Sequence, residues 1–357
     1  MSTVTDRAVT RTVGTRPLAI GFAVLLITAG LLAVLGWLIP IAPLLRGWLV
    51  AFAIFGSIPI GSMIWLLIHR LTGGEWGFAA APVLRPAAAM TLLLIVDFVP
   101  VLVGLHQIYP WAADPTAISA DVARWYLNGP LFLIRSLIAL VGWSFLAVMF
   151  AAGLGSRLLA GLGLAFFGLT ISLVAVDWYL SLELHYVATA FAAMIAIQQL
   201  VMALAVTGLI GPPVIEGKVA GDLGALLIAT LLGVVYLEFM TFVVAWYGDL
   251  PEKAAWFLKR SSSGWLSILI TALAVGAVLP FGMLLMQRVR DSRRGLRIAS
   301  ALILFGTGLH FLWLLVPAFD NQAFVVMSAC AGGAVLLLIS FLTGPALAQL
   351  SEARHAE

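Results

Sequence analysis

The sequence predicts an all-α polytopic membrane protein with ten transmembrane helices. Three observations carry that prediction. Of 357 residues, 63% are hydrophobic and only 10% are charged, against roughly 45–50% and about 25% in soluble domains. Mean hydropathy is +1.12. The apolar residues fall in continuous runs, without the period-two alternation that a membrane barrel needs.

A spanning helix needs about 20 apolar residues. Ten stretches qualify, near 18–39, 47–68, 86–106, 129–152, 158–180, 187–210, 223–246, 264–287, 297–317 and 322–347. Residues 1–17 are polar and lack the short apolar core of a signal peptide, so the first helix is expected to be retained after a cytoplasmic tail. Residues 18–347 read as one transmembrane domain, followed by a tail over 348–357. No connection is long enough for a soluble module, so any large redox or nucleotide-binding unit must come from a partner. The one cysteine, Cys330, rules out a disulfide framework, a CxxC pair or a covalent c-type haem held by this chain alone.

Orientation follows from the Lys/Arg bias of the loops. With the N-terminus in the cytoplasm, that side carries Arg7, Arg11, Arg16, Arg70, Arg85, Arg157, Lys218, Arg288, Arg290, Arg293, Arg294, Arg297 and Arg354. The other side has Arg46, Arg124, Lys253, Lys259 and Arg260. Both termini are therefore expected in the cytoplasm. The run QRVRDSRRGLR (287–297) reads most simply as a stop-transfer anchor.

Ionisable groups inside spans are costly and normally face the bundle interior or water. Asp97 lies near the middle of helix 3, about 16 Å from its start. Arg135 is in the outer part of helix 4, and Asp177 ends helix 5. Glu238 lies about 12 Å below the outer rim of helix 7, and His310 sits in the outer part of helix 9. Read functionally, these five form a polar outer pocket or proton path. Read structurally, Arg135 neutralises Asp97 or Glu238, and His310 is a hydrogen-bonded interior histidine. Gln198 and Gln199 in helix 6 read as interhelical glue. Haem b would need facing histidines, and the five present allow at most one haem among His106, His185 and His310.

Helix 5 ends in VDWYLSLELHY (176–186), and helix 7 is followed by GDLPEKAAWFLKR (248–260). Both fall at the outer surface. Trp178, Glu183, His185, Trp246, Asp249, Pro251 and Glu252 are expected to form an outer rim that docks a partner. Trp178, Tyr179 and Tyr186 read as rim anchors, and Trp76, Trp111, Trp125, Trp256 and Trp265 as further belt residues. One spacing also recurs. Asp97 precedes Pro110 by thirteen residues, as Glu238 precedes Pro251, and helices 3 and 7 would be equivalent in two four-helix units, 2–5 and 6–9.

Several stretches together resemble a known family: LTGGEWGFAAAPVLRPAAA (71–89), DWYLSLELHY (177–186), residues 221–260, PFGMLLMQR (280–288) and HFLWLLVPAF (310–319). In this order they resemble the F-type membrane subunit of bacterial alternative complex III, a quinol:electron-acceptor oxidoreductase, within the NrfD/polysulphide-reductase membrane-subunit superfamily. The resemblance covers roughly residues 45–320. It implies two four-helix bundles, 47–180 and 187–317, plus two peripheral helices in a bacterial inner membrane. It implies a sister NrfD-like subunit, a periplasmic iron–sulfur/molybdopterin-like subunit and c-type cytochrome subunits, with haem and clusters held by those partners and quinol bound in or near the complex. The chain departs from the family pattern at Leu184, where a proline is usual, at Tyr186 (tryptophan), at Asp249 (asparagine) and at Met240–Thr241–Phe242 (Ser-Gln-Tyr). A secondary transporter with a midplane Asp97/Glu238/Arg135 coupling site is the other reading that the residues allow.

Overall fold

The computed structural model describes residue 30, residues 40–262 and residues 264–352. Apart from residue 30, the first predicted span and the tail before it lie outside the described residues, as do residues 353–357. Among the described residues there is no strand, and nine helices are long and apolar enough to cross a membrane. These are α1 (Ile41–Thr72), α2 (Glu75–Val103), α3 (Gly129–Ala151), α4 (Arg157–Leu182), α5 (Phe191–Ile210) and α6 (Lys218–Tyr247), followed, after the short α7 (Pro251–Ser261), by α8 (Trp265–Leu285), α9 (Arg293–Ala318) and α10 (Gln322–Glu352). The end carrying loops 104–128, 183–190 and 248–264 is called outer here, and the arginine-rich end inner.

Helix ends follow local chemistry. Asn128, Ser156 and Ser292 each accept a hydrogen bond from a first-turn amide and so start α3, α4 and α9. The expected loop between the second and third spans shrinks to a two-residue turn. Gly73 (φ 72°) and Gly74 (φ 106°) reverse the chain in a region open to glycine, so α2 starts at Glu75, well before the expected 86. The fifth predicted connection is longer than expected, because α5 begins at Phe191 rather than 187. The last helix continues to Glu352, so residues 348–352 are helix, where a tail was expected.

The core is built around α1, which packs against α2, α4, α5 and α10. Gly61 permits its crossing with α5, because a Cβ there would collide with the carbonyl of Gln199. Trp65 Nε1 donates to Leu200 O across the same contact, at 2.9 Å. Consecutive helices of 41–182 pack on each other, and α4 returns to α1. The same pattern recurs in 191–318, where α9 returns to α5. Where α8 crosses α9, Gly276 and Gly306 meet backbone to backbone.

Interruptions are local. Pro100 has no amide hydrogen to give, and Val101 N–H turns to Phe98 O at 3.1 Å. The carbonyl of Asp97 instead accepts from Trp48 Nε1 at 2.7 Å. α8 contains a π-helical turn over Ala274–Val278, just before Pro280. α6 runs without a break.

Candidate functional site

The polar residues of the outer half form three separate groups, with Asp97 apart from them, and not one pocket. The first joins α3 to α4. Asp177 is 0% exposed, and Arg135 grips it with both arms, Nε to Oδ2 at 2.6 Å and Nη2 to Oδ1 at 3.1 Å. Nη2 also donates to Tyr126 O at 2.9 Å, and the guanidinium lies 4.2 Å from the Tyr126 ring centre. The expectation that Arg135 neutralises Asp97 or Glu238 is therefore corrected. Two residues on facing helix ends form the pair, and an aromatic carbonyl uses a further donor. Burial, opposed by the Arg135 charge, pushes the Tyr126 hydroxyl up to about 12.

Trp178 follows Asp177 and is fully buried, with its indole donating to Ser136 Oγ at 2.9 Å. Its backbone carbonyl accepts from Tyr109 at 3.0 Å, and Trp111 donates to Ser181 at 3.1 Å. Trp178 is thus an interior residue and not part of a docking rim. Tyr179, Tyr186, Trp76, Trp111, Trp256 and Trp265 are buried as well; of the expected belt, Trp125 and Trp246 are exposed. Trp111 and Trp265 have a polar partner inside, Ser181 and Gln322, as Trp178 has Ser136. Each indole or phenol that finds a polar partner inside the bundle gains more from burial than from the membrane interface.

The second cluster lies between α4, α7 and α9. Glu183 reaches Lys259 Nζ at 2.8 Å and Arg260 Nη2 at 2.6 Å. Sequence reading used those two cations only to set orientation. The amphipathic turn of α7 places them: Pro251 opens the helix, Glu252 lies in its first turn, and Lys259 and Arg260 close it. Arg260 is 2% exposed, donates to Leu314 O at 2.8 Å and lies 3.7 Å from the Trp256 ring centre. Tyr186 stacks on Trp256 at 4.2 Å. A cavity of about 10 Å³ is lined by Glu183, Tyr186, Trp256 and Arg260, about the room one water needs.

Deeper in the same half, Glu238 of α6 and His310 of α9 approach at 3.0 Å, Oε1 to Nε2, with side chains 14% and 6% exposed. Gln198 Nε2 on α5 lies 3.0 Å from His310 Nδ1. That contact joins α5 to α9 at one ring nitrogen, while Glu238 approaches the other from α6 without hydrogen-bond geometry. Gln198 thus links helices, as its residue type suggests. Tyr186 feels the charges of both Glu238 and Glu183, and burial first, then these charges, raises its hydroxyl well above the ordinary value. It is the residue that sequence reading missed. Its rim-like aromatic context hid a position between the interior pair and the outer ion pair.

Asp97 stands apart. It is half-buried beside the break in α2, and its carboxylate has no partner among the described residues. His185, Trp246, Asp249, Pro251 and Glu252 are exposed at the outer end. Asp249 adopts φ 43°, a left-handed turn between α6 and α7. The histidines considered for haem have separate surroundings: His106 Nδ1 bonds Ala112 O at 2.7 Å, His185 is exposed, and His310 holds Glu238.

No protein-family model matches the chain, and no curated protein matches it.

Proposed function

We propose that the chain is a membrane subunit of a quinol-oxidising respiratory assembly resembling alternative complex III. In this reading residues 47–180 and 187–317 form two four-helix bundles, and both termini lie in the cytoplasm of a bacterial inner membrane. The observation that carries the proposal is the Glu238–His310 pair, a buried acid and base in contact, with Tyr186 and Glu183 leading toward the outer end.

Oxidation of one quinol releases two electrons and two protons. Glu238 takes up a released proton at its carboxylate, and His310, anchored through Gln198, lies 3.0 Å from that carboxylate and positions it. Tyr186 and a water in the small cavity pass it toward Glu183. The electrons leave through partner subunits: a sister NrfD-like chain, a periplasmic iron–sulfur/molybdopterin-like chain and c-type cytochromes. The chain is then a scaffold and proton conductor, with quinol bound in or near the assembly. Arg135–Asp177 is structural, and the exposed Trp246–Glu252 turn and His185 meet a partner.

The secondary-transporter reading draws on Asp97 beside the α2 break. Two features weigh against it. Arg135 is occupied by Asp177, and α6, which would be the repeat partner of α2, has no matching break.

The test is turnover of the assembled complex carrying Glu238→Gln. We expect assembly to be retained and proton-coupled quinol oxidation to fall by about 100-fold, as for a lost acid–base group. A variant that assembles, oxidises quinol and releases protons like the parent overturns the proposal.

A further inference from the structure

The inner end of the first four helices holds a cavity of about 440 Å³ that the proton path does not use. That volume lies within the range of about 300–1,000 Å³ typical of small-molecule sites. The C-terminal turn of α1, the first turns of α2, the last turn of α3 and the start of α4 enclose it. Its charged or titratable lining residues are His69, Arg70, Arg85 and Arg157, with no Asp or Glu among them.

Each position has a local cause. The glycine turn at 73–74 folds α2 back on α1, and Gly153 (φ 74°) turns the chain from α3 to α4. A Cβ on Gly77 would collide with the His69 ring, so this glycine lets the ring pack against α2. His69 Nε2 lies 3.0 Å from Gly74 O, and its ring meets Trp76 and Phe78 edge-on. Arg70 and Arg157 are exposed and have no ion-pair partner among the described residues. α4 starts beside the cavity, so its N-terminal dipole adds positive potential. Toward the membrane the wall turns apolar, with Leu66, Phe78, Ala81 and Phe150.

A cationic mouth above an apolar wall suits an anion carried on an amphiphile. Basic pockets between helices at this level bind phospholipid headgroups. We propose that this cavity binds a phosphate group, from an anionic phospholipid or from soluble phosphate, held by Arg70 and Arg157.

The experiment measures binding to the purified full chain in detergent, using phosphatidylglycerol, phosphatidylcholine and inorganic phosphate as probes. Arg70→Gln/Arg157→Gln is compared with the parent and with Arg288→Gln/Arg294→Gln, which alters a separate basic run. Preferential binding of phosphatidylglycerol by the parent, weakened at least about tenfold in the first variant alone, supports the site with lipid as the source. Saturable binding of inorganic phosphate, lost in the same variant, supports it with a soluble ligand. No selectivity in the parent, or equal loss in both variants, overturns it. Arg157→Gln alone repeats the comparison if the double variant does not fold.

Discussion

Asp177 has no water to turn to if Arg135 is removed. Breaking one side of a buried pair costs about 3–5 kcal/mol, because the other charge is left unpaired. Arg135→Ala should therefore lower the thermal unfolding temperature of the detergent-solubilised protein sharply. Arg135→Lys should recover little, because an ammonium cannot hold both carboxylate oxygens. Glu183 behaves differently, since it lies at the outer end. Burial works to raise it, but the Arg260 and Lys259 charges outweigh burial and hold it below its ordinary value of 4.5. A folded value below the unfolded one means that the pairing stabilises fully above about pH 4.5 and is lost as pH falls through the folded value. Unfolding temperature measured across that acid window should fall more steeply in the parent than in Glu183→Gln. At Asp249 the left-handed backbone sets the rule. Asp249→Asn should be neutral, Asp249→Gly neutral or better, and Asp249→Val should cost about 1–2 kcal/mol in an unfolding experiment. The presence of these charges was legible in the sequence. Their partners were not, because Arg135 and Asp177 are far apart in the chain and spacing says nothing about which facing helix end is nearest.

Helix crossings rest on glycines. Gly61 on α1, and Gly276 with Gly306 between α8 and α9, bring backbones together where any side chain would clash. Gly306→Val should push α8 from α9, at about 1–3 kcal/mol of overpacking, and lower the yield of folded protein in a detergent stability assay. Gly308→Ala on the same helix, where an added Cβ meets nothing nearby, should be silent. The apolar runs disclosed all nine helices of the described region, since burying that much apolar length leaves few alternatives to a span. Helix ends were less legible. The Gly73–Gly74 turn let α2 start early, and α7 formed where only a polar loop was expected. Eleven residues with Trp256 and Arg260 on one face carry a short amphipathic signal that a search for long apolar runs passes over. The tryptophans misled for a related reason. Rim aromatics and interior aromatics have the same composition, and only a hydrogen-bond partner such as Ser136 for Trp178 separates them.

At the scale of the whole molecule, the expected single outer pocket resolves into the Arg135–Asp177 pair, the Glu183–Lys259–Arg260 cluster, the Glu238–His310 contact and an Asp97 whose carboxylate has no partner among the described residues. That division favours a conductor within a larger assembly over a self-contained transporter, which would need its charges at one coupling site. The most direct measurement is purification of the tagged chain from native membranes in mild detergent, followed by a redox difference spectrum and quinol-oxidation assay of the isolated complex. We expect a quinol-oxidising complex containing c-type haem and iron–sulfur subunits, and a colourless preparation once this chain is stripped of its partners. A stable, colourless monomer or homodimer with no quinol-oxidising activity would contradict it.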